Sequence, residues 1–448
     1  MFRGKKFNIS PARIIIMGFL GLILVGTGLL MLPFATREAG GATFVDALFT
    51  ATSATCVTGL IVQDTAQYWT LFGQIVILLL IQIGGMGVVT MAVMISMLMG
   101  KKIGLKQRWV MQESISAPQM GGILRLTGFI LKGTFLVEGI GAALLALRFC
   151  PEFGFFKGLW YAVFHAISAF CNAGFDLMGV KAEFSSLTGY VGDPLVNIVI
   201  MLLIIVGGLG FLVWNDILQH RQNFKRYRLQ SKVVLVTTLV LLVGPLLFYL
   251  IYEFPLPQWQ SLSIGEQFWA AAFMAVTPRT AGFNTVSLGE LSQPGQLVTM
   301  LLMMVGGSPG STAGGLKTTT LAVMILGIRA VFRRRSSAHC FGRRIPDEVF
   351  RNASALFMLY LLLFLGGGVL ICCMEGISLM NALFESASAV ATVGLSIGGS
   401  AVLGTASRLI LICLMYFGRV GGLTMIYAVT AGERGSVSQY PQEQITVG

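Results

Sequence analysis

Charge is scarce in this sequence: Asp, Glu, Lys and Arg together make up 11% of the 448 residues, while 55% are hydrophobic. A soluble domain carries roughly 25% charged residues, so that class is excluded. Histidine is scarcer still, and His165, His220 and His339 are too scattered for a metal centre. The cysteines Cys56, Cys150, Cys171, Cys340, Cys372, Cys373 and Cys413 form no CxxC pair and fall mostly in apolar segments, which speaks against a disulfide framework or a zinc site. No Ser/His or His/Asp/Glu constellation has a workable spacing for an intramembrane enzyme. No cleavable leader is expected. Arg3, Lys5 and Lys6 precede an apolar run, about 14–34, that can span a bilayer and lacks an A-x-A site. It reads as a first retained helix.

What abounds is apolar runs of about 20 residues, the length that crosses a bilayer core, and glycine, 55 residues of it, which suits close packing in lipid. The mean hydropathy is +0.80. The net charge of +12 raises the question of nucleic acid, and its distribution answers it. Cations collect in the N-terminal tail and in three linkers, four in Lys101–Arg108, five in Arg221–Lys232 and seven in Arg329–Arg351. Acidic residues cluster elsewhere, at Glu38, Asp46, Asp64, Asp176, Glu183, Asp193, Glu253, Glu266 and Glu290. Such alternation is the positive-inside pattern of a polytopic membrane protein, and a cytoplasmic face against anionic lipid accounts for the cations. No nucleic-acid partner is needed.

Internal repeats are the most informative feature. Four segments align: FTATSATCVTG (Phe49–Gly59), FHAISAFCNAG (Phe164–Gly174), AFMAVTPRTAG (Ala272–Gly282) and FESASAVATVG (Phe384–Gly394). Their glycines are separated by 174−59 = 115, 282−174 = 108 and 394−282 = 112 residues. Each segment lies between two apolar spans, at about 14–34 and 72–99, 124–149 and 191–218, 232–252 and 295–328, 353–374 and 405–429. Amphipathic stretches near 45–55, 158–170, 265–276 and 379–390 are too short to cross and predict re-entrant half-helices. The expectation is an all-α integral membrane protein of four tandem helix–pore loop–helix repeats, eight transmembrane helices plus four half-helices, around a pseudo-fourfold pore. The repeats would cover 1–110, 111–228, 229–345 and 346–448, with both termini and every basic linker on the cytoplasmic side.

The second spans carry a further mark: QIGGMG (Gln82–Gly87), IVGGLG (Ile205–Gly210), MVGGSPG (Met304–Gly310) and FGRVGG (Phe417–Gly422). A double glycine costs helix propensity, and tight packing against a neighbouring helix accounts for the first two copies as readily as a functional role does.

After each half-helix come four residues ending in glycine: Cys56-Val57-Thr58-Gly59, Cys171-Asn172-Ala173-Gly174, Arg279-Thr280-Ala281-Gly282 and Ala391-Thr392-Val393-Gly394. No acidic side chain is common to them, so what they share is backbone. Four strands with carbonyls aimed at an axis can replace a potassium ion's water shell without a charged ligand. Glycine permits the backbone angles and leaves room for four strands to meet. Half-helices ending here point their partial negative charge at the pore and favour a cation. Asp176, near the mouth, would raise the local cation concentration.

These segments and the third-span loop resemble the Trk/Ktr/HKT superfamily of potassium transporters over essentially the whole chain, most closely the membrane subunit of bacterial Ktr systems (KtrB/KtrD type). TPRTAGFN (Thr277–Asn284) and GGSPGSTAGGLKTT (Gly306–Thr319) are the most specific parts. The resemblance implies a selectivity filter with potassium at Gly59, Gly174, Gly282 and Gly394. Some plant relatives carry Ser at the first of these positions and favour sodium; Gly59 here implies potassium. It also implies an intramembrane gate in the flexible stretch Gly306, Gly307, Ser308, Pro309, Gly310, Ser311, Thr312, Ala313, Gly314 and Gly315, where glycine and proline cannot sustain a helix.

Lys317 and Arg419 are intramembrane cations, a functional signal by default, and the resemblance sets Arg419 against the loop as part of the ion barrier. Snorkelling to the cytoplasmic surface is the alternative for Lys317. The run Gly310–Thr318 nearly matches a Walker A loop but carries an extra residue before the lysine and follows a membrane span, not a strand, so no nucleotide is expected on this chain. Arg279 reads as a strut bonding loop carbonyls and His165 as a satisfied structural histidine. Ser53, Ser168 and Ser388, at equivalent half-helix positions, read as packing or capping of the filter.

A Ktr-type membrane subunit implies a homodimer in the bacterial cytoplasmic membrane, docked to a cytosolic ring of RCK-domain subunits (KtrA/KtrC type) that bind the nucleotide. Potassium is the transported ion, with sodium a candidate activator and no cofactor on this chain. The two further N-terminal helices usual in Trk-type relatives are not expected here. A secondary transporter of a small solute would show inverted repeats and charged mid-spans, whereas these repeats are parallel; a sodium-permeable relative is the nearer alternative.

Overall fold

The computed structural model describes residues 10–430 apart from 39, 100–103, 115–121, 222, 336 and 399. The basic N-terminal tail, part of the Lys101–Arg108 linker and the C-terminal tail Glu433–Gly448 lie outside the described residues.

The first apolar run forms α1 (Pro11–Leu30), opened by the Ser10 hydroxyl and by Pro11 in its first turn. A much shorter helix follows, α2 (Phe44–Cys56), capped by Thr43 and buried along nearly its whole length. Its 13 residues rise about 20 Å, short of the roughly 30 Å of hydrocarbon in a bilayer. Next, α3 (Leu71–Met86) and α4 (Val88–Leu98) meet at 96°, and α5 (Leu105–Ser114) leads to the 31-residue α6 (Ile123–Phe153). Gly154 turns the chain directly into α7 (Phe155–Phe170). Asp193 then caps α8 (Pro194–Leu209), which meets α9 (Phe211–His220) at 95°.

In the second half, α10 (Leu229–Phe248) runs on through a π turn to Glu253, and a capping box of Ser263 and Glu266 starts α11 (Ile264–Val276). A non-helical segment separates α12 (Gln293–Met304) from α13 (Thr318–Phe332). A small hairpin, β1 (His339–Cys340) with β2 (Arg343–Arg344), is the one addition to an otherwise helical chain among the described residues. The last helices are α14 (Asp347–Glu375), α15 (Leu379–Val390), α16 (Thr405–Val420) and α17 (Gly422–Thr430).

Four helices are long and apolar enough to cross a membrane alone, Pro11–Leu30, Ile123–Phe153, Leu229–Glu253 and Asp347–Glu375, and the two bent pairs bring the number to six. The eight continuous spans expected from sequence are therefore not found as such. The reason is local: in three of the double-glycine marks a later glycine, Gly87, Gly210 or Gly421, has φ of +87°, +91° and +87°. Side-chain-bearing residues rarely adopt that region, so the helix ends there and a second one starts in a new direction.

The short helices α2, α7, α11 and α15 form the buried centre, while the long helices turn Leu24, Ile140, Leu239 and Leu362 outward, 54–61% exposed. Such exposed apolar faces suit a lipid surround. Other glycines of the marks allow the central packing. A Cβ on Gly84, Gly207 or Gly418 would stand 2.0, 2.0 or 2.2 Å from the carbonyl oxygens of Thr55, Phe170 and Val390 respectively. Each of those oxygens belongs to the end of a short helix, so the close-packing explanation holds for the first two copies. Gly207→Ala is therefore expected to destabilise the fold by about 1–3 kcal/mol through overpacking, seen as a lower Tm in detergent. Gly139, with open space around its Cβ position, should accept Ala without change; equal effects at both sites would refute this packing.

The two ends of the chain are joined. Arg408 pairs with Asp46 at 2.7 Å, the Tyr416 hydroxyl donates to the Ile16 carbonyl at 2.7 Å, and Arg13 Nε donates to the Ala428 carbonyl at 3.0 Å.

Candidate functional site: a ring of glycines above a pinned loop

The glycines that close the four quartets touch one another in a circuit. A Cβ on Gly59 would lie 2.5 Å from Ala173 O, and one on Gly174 would lie 2.7 Å from Ala281 O. On Gly282 it would meet Val393 O at 2.6 Å, and on Gly394 it would meet Thr58 O at 2.2 Å, which returns to the start. Each glycine thus faces the carbonyl of the third residue in the next quartet. All four have positive φ, +90°, +69°, +84° and +93°.

The second residue of every quartet is left-handed as well, Val57 at 57°, Asn172 at 58°, Thr280 at 68° and Thr392 at 53°. A left-handed side-chain residue costs roughly 1–2 kcal/mol, so four in equivalent places mark a conformation imposed by the surroundings. The first residues do not join an extended strand. Cys56 is the last residue of α2, Cys171 and Ala391 cap α7 and α15, and Arg279 sits in the turn after α11.

Hydroxyl groups tether these segments to their helices. The Gly59 and Gly394 N–H groups donate to Ser53 Oγ and Ser388 Oγ at 3.1 and 3.0 Å. Ser168 Oγ donates to the Phe175 carbonyl at 2.7 Å, and Thr277 Oγ1 donates to the Phe283 carbonyl at 2.5 Å. Thr277 escaped the sequence comparison because it stands one position after the serine column. The Asn172 amide lies 3.3 Å from Thr280 Oγ1; oriented to satisfy both its ends, it donates to Ala169 O and Ile204 O at 3.0 and 3.2 Å.

On one side the ring opens into a cavity of about 370 Å³ lined by all four glycines and by Asp176. On the other side lies a second cavity, about 310 Å³, lined by Gly310, Ala313, Gly315, Lys317 and Arg419. The loop between α12 and α13 stands between them. Its neck is closed by Gly306 N–H to Leu316 O at 2.8 Å and Thr318 N–H to Gly307 O at 3.1 Å. Its body is fixed to three helices: Ser308 N–H donates to Gly208 O (3.0 Å), Phe211 N–H to Gly310 O (2.9 Å) and Thr312 Oγ1 to Phe170 O (3.0 Å). Gly315 N–H reaches Gly418 O at 3.3 Å. A Cβ on Gly314 would collide with Thr392 Oγ1 at 2.1 Å, so the loop presses directly on the fourth quartet. The flexible segment expected from its composition is in this conformation held in place by these bonds.

The cations have assigned partners. Arg419 donates to the Thr312 carbonyl of the loop and to the Gly84 and Gly85 carbonyls of α3. Lys317 does not snorkel; its Nζ turns back to Ala313 O at 2.8 Å and Gly314 O at 3.4 Å. The expected role of Arg279 as a strut to loop carbonyls is not seen. Its guanidinium donates to Thr238 Oγ1 on α10 at 3.5 Å, because the turn after α11 aims it outward at that helix. His165 is a buried histidine bonded to Tyr161 O and Leu177 N–H. No group of His, Cys, Asp and Glu that could hold a metal ion occurs among the described residues.

A family model described as TrkH, cation transport protein, matches residues 10–440. Over 454 residues the chain is 40% identical to the potassium/sodium uptake protein NtpJ of Enterococcus hirae, covering 100% of this chain and 99% of that one. It is 39% identical to the Ktr system potassium uptake protein B of Bacillus subtilis, covering 99% and 98%. In fold it is similar to the crystal structure of the potassium transporter TrkH from Vibrio parahaemolyticus, with a TM-score of 0.73 over 96% of this chain and 87% of that one at 19% identity.

Proposed function

The chain belongs to the TrkH family of cation transport proteins, and from that premise we propose that it takes up potassium through the glycine ring. The observation that carries the reading is the circuit itself, four equivalent glycines each facing a carbonyl of the next segment. Carbonyl oxygens brought together without a charged side chain suit a weakly hydrated monovalent cation, and the ends of α2, α7, α11 and α15 add partial negative charge. On this reading the chain is four tandem helix–pore loop–helix units, and the bent or interrupted pairs are their second spans. Both termini face the cytoplasm, the cavity with Asp176 opens outward, and the loop with Arg419 obstructs the inner side.

The resemblance of the chain to Ktr membrane subunits further implies a homodimer in a bacterial cytoplasmic membrane, with a cytosolic RCK-domain ring carrying the nucleotide. A second reading, sodium passing beside potassium, is favoured by the similarity to the potassium/sodium uptake protein of Enterococcus hirae.

Uptake complementation in a potassium-requiring bacterium tests the main reading, together with potassium and sodium flux into liposomes. Growth on low potassium with a potassium-preferring flux supports it; correctly inserted protein without such flux sinks it.

The outer cavity gives a pH prediction. Asp176 lies in a loop beyond the spanning helices, and burial, with the nearby Asp64 carboxylate, raises its pKa to about 7. Above that pH the mouth carries a negative charge that attracts cations; below it the charge is lost. The half-saturating potassium concentration should therefore fall as external pH rises through 7, by about 2–5-fold for one partly screened charge. Asp176→Asn should show the high value throughout, and a pH trend that survives this substitution would assign it to another group.

A further inference from the structure

α6 carries a carboxylate in its apolar middle, Glu138, only 4% exposed. Both its oxygens accept from Gln82 Nε2 on α3, at 3.0 and 3.2 Å. The thiol of Cys171, which caps α7, lies 3.9 Å from Glu138 Oε1 and 3.9 Å from Gln82 Oε1. Gly85 closes the fourth side, since a Cβ there would stand 2.6 Å from Cys171 Sγ. Carboxylate, amide and thiol thus form one buried cluster joining α3, α6 and α7.

An ionisable group at this depth is costly, and packing alone is better served by a leucine or methionine. The place of the cluster supplies the reason. Cys171 opens the second quartet, three residues ahead of the ring glycine Gly174. Gln82 stands just before Gly84 and Gly85, whose carbonyls receive Arg419. The cluster therefore fixes the root of one ring segment against the helix that anchors the inner cation. The first residues of the other quartets, Cys56, Arg279 and Ala391, have no recorded hydrogen bond to a carboxylate among the described residues.

We propose that Glu138 is a positioning residue for ion discrimination. Touching no ion, it clamps Cys171 and Gln82, and so holds the Ala173 carbonyl where the ring needs it. Glu138 does this because its two oxygens reach both partners at once, the Gln82 amide at 3.0 and 3.2 Å and the Cys171 thiol at 3.9 Å. The inference rests on the pore reading above.

The test uses full-length protein in liposomes, with potassium and sodium fluxes measured over a range of concentrations. Glu138→Gln keeps the shape and should lower the potassium-over-sodium preference about 3–10-fold, the range expected for coupled neighbours, while changing maximal potassium flux less. Cys171→Ala removes the other end of the clamp without touching a charge and should give the same loss. The exchange Glu138→Gln with Gln82→Glu restores one acid facing one amide and should recover the preference to within about twofold.

Unchanged preference in both Glu138→Gln and Cys171→Ala overturns the proposal, and so does an exchange no better than Glu138→Gln alone. If Glu138→Gln fails to insert, Cys171→Ala decides the matter. Wild-type protein without potassium-preferring flux would condemn the pore reading itself, an outcome distinct from these.

Discussion

Gly394→Ala is expected to cut potassium uptake at least about tenfold while the protein still inserts in the membrane. The added carbon would stand 2.2 Å from the Thr58 carbonyl oxygen and 2.9 Å from Gly59 Cα, both backbone. Neither can step aside as a flexible side chain would, because Thr58 N–H is bonded to Ser53 O at 2.8 Å and Gly59 N–H to Ser53 Oγ at 3.1 Å. The residue must also hold φ of +93°, which costs roughly 1–3 kcal/mol without glycine, and overpacking adds about 1–3 kcal/mol. Displacing the carbonyls by even part of that energy lowers conductance at least about tenfold, since 1.4 kcal/mol is a factor of ten. Gly28, with nothing within 4 Å of its Cβ position, serves as control and should tolerate alanine. Gly59→Ser should give a milder form of the same lesion, eroding the preference for potassium over sodium. Radiotracer uptake normalised to membrane protein settles the matter. Equal uptake by the Gly394→Ala and Gly28→Ala proteins would show that the circuit is not the conduction path.

Arg419→Ala and deletion of Gly310–Gly315 are both expected to raise flux. The guanidinium joins the Thr312 carbonyl of the loop to the Gly84 and Gly85 carbonyls of α3. A hydrogen bond to a charged group contributes about 1.5–3 kcal/mol, so losing the one to the loop shifts its docked-to-displaced equilibrium about 10–100-fold. The shift has the same sign as removing a cation from the path of a cation. Deletion goes further, because it removes the contacts to Phe170 and Gly418 and the Ala313 carbonyl that holds Lys317. Purified variants in liposomes should conduct at least about tenfold faster than wild type. Flux at or below the wild-type rate from well-folded protein would show that the loop does not obstruct.

Much of this arrangement was legible in the residues, for identifiable reasons. The four short helices could be placed because an apolar stretch of about a dozen residues cannot cross a bilayer, and α2, α7, α11 and α15 lie where that argument puts them. The ring glycines could be picked out because one residue type recurred at a near-constant interval. What stayed hidden depended on direction. Gly87, Gly210 and Gly421 sit inside apolar runs that read as continuous, and only their positive φ reveals a corner. Arg279 lies beside a ring glycine in sequence, yet its turn sends it to Thr238. Glu138 gave a signal in the sequence, a carboxylate amid an apolar run, but its partners lie 56 and 33 residues away. Thr277 does the work of a serine column from one position along, and alignment in a single register cannot show that.

The ring closes only where Gly394 meets Thr58 and Gly59, and Arg408 meets Asp46. If the ring is the ion path, a chain ending before the last quarter would lack one side of it. On the pore reading, the fourth segment is thus the one that completes the wall of the path by meeting the first.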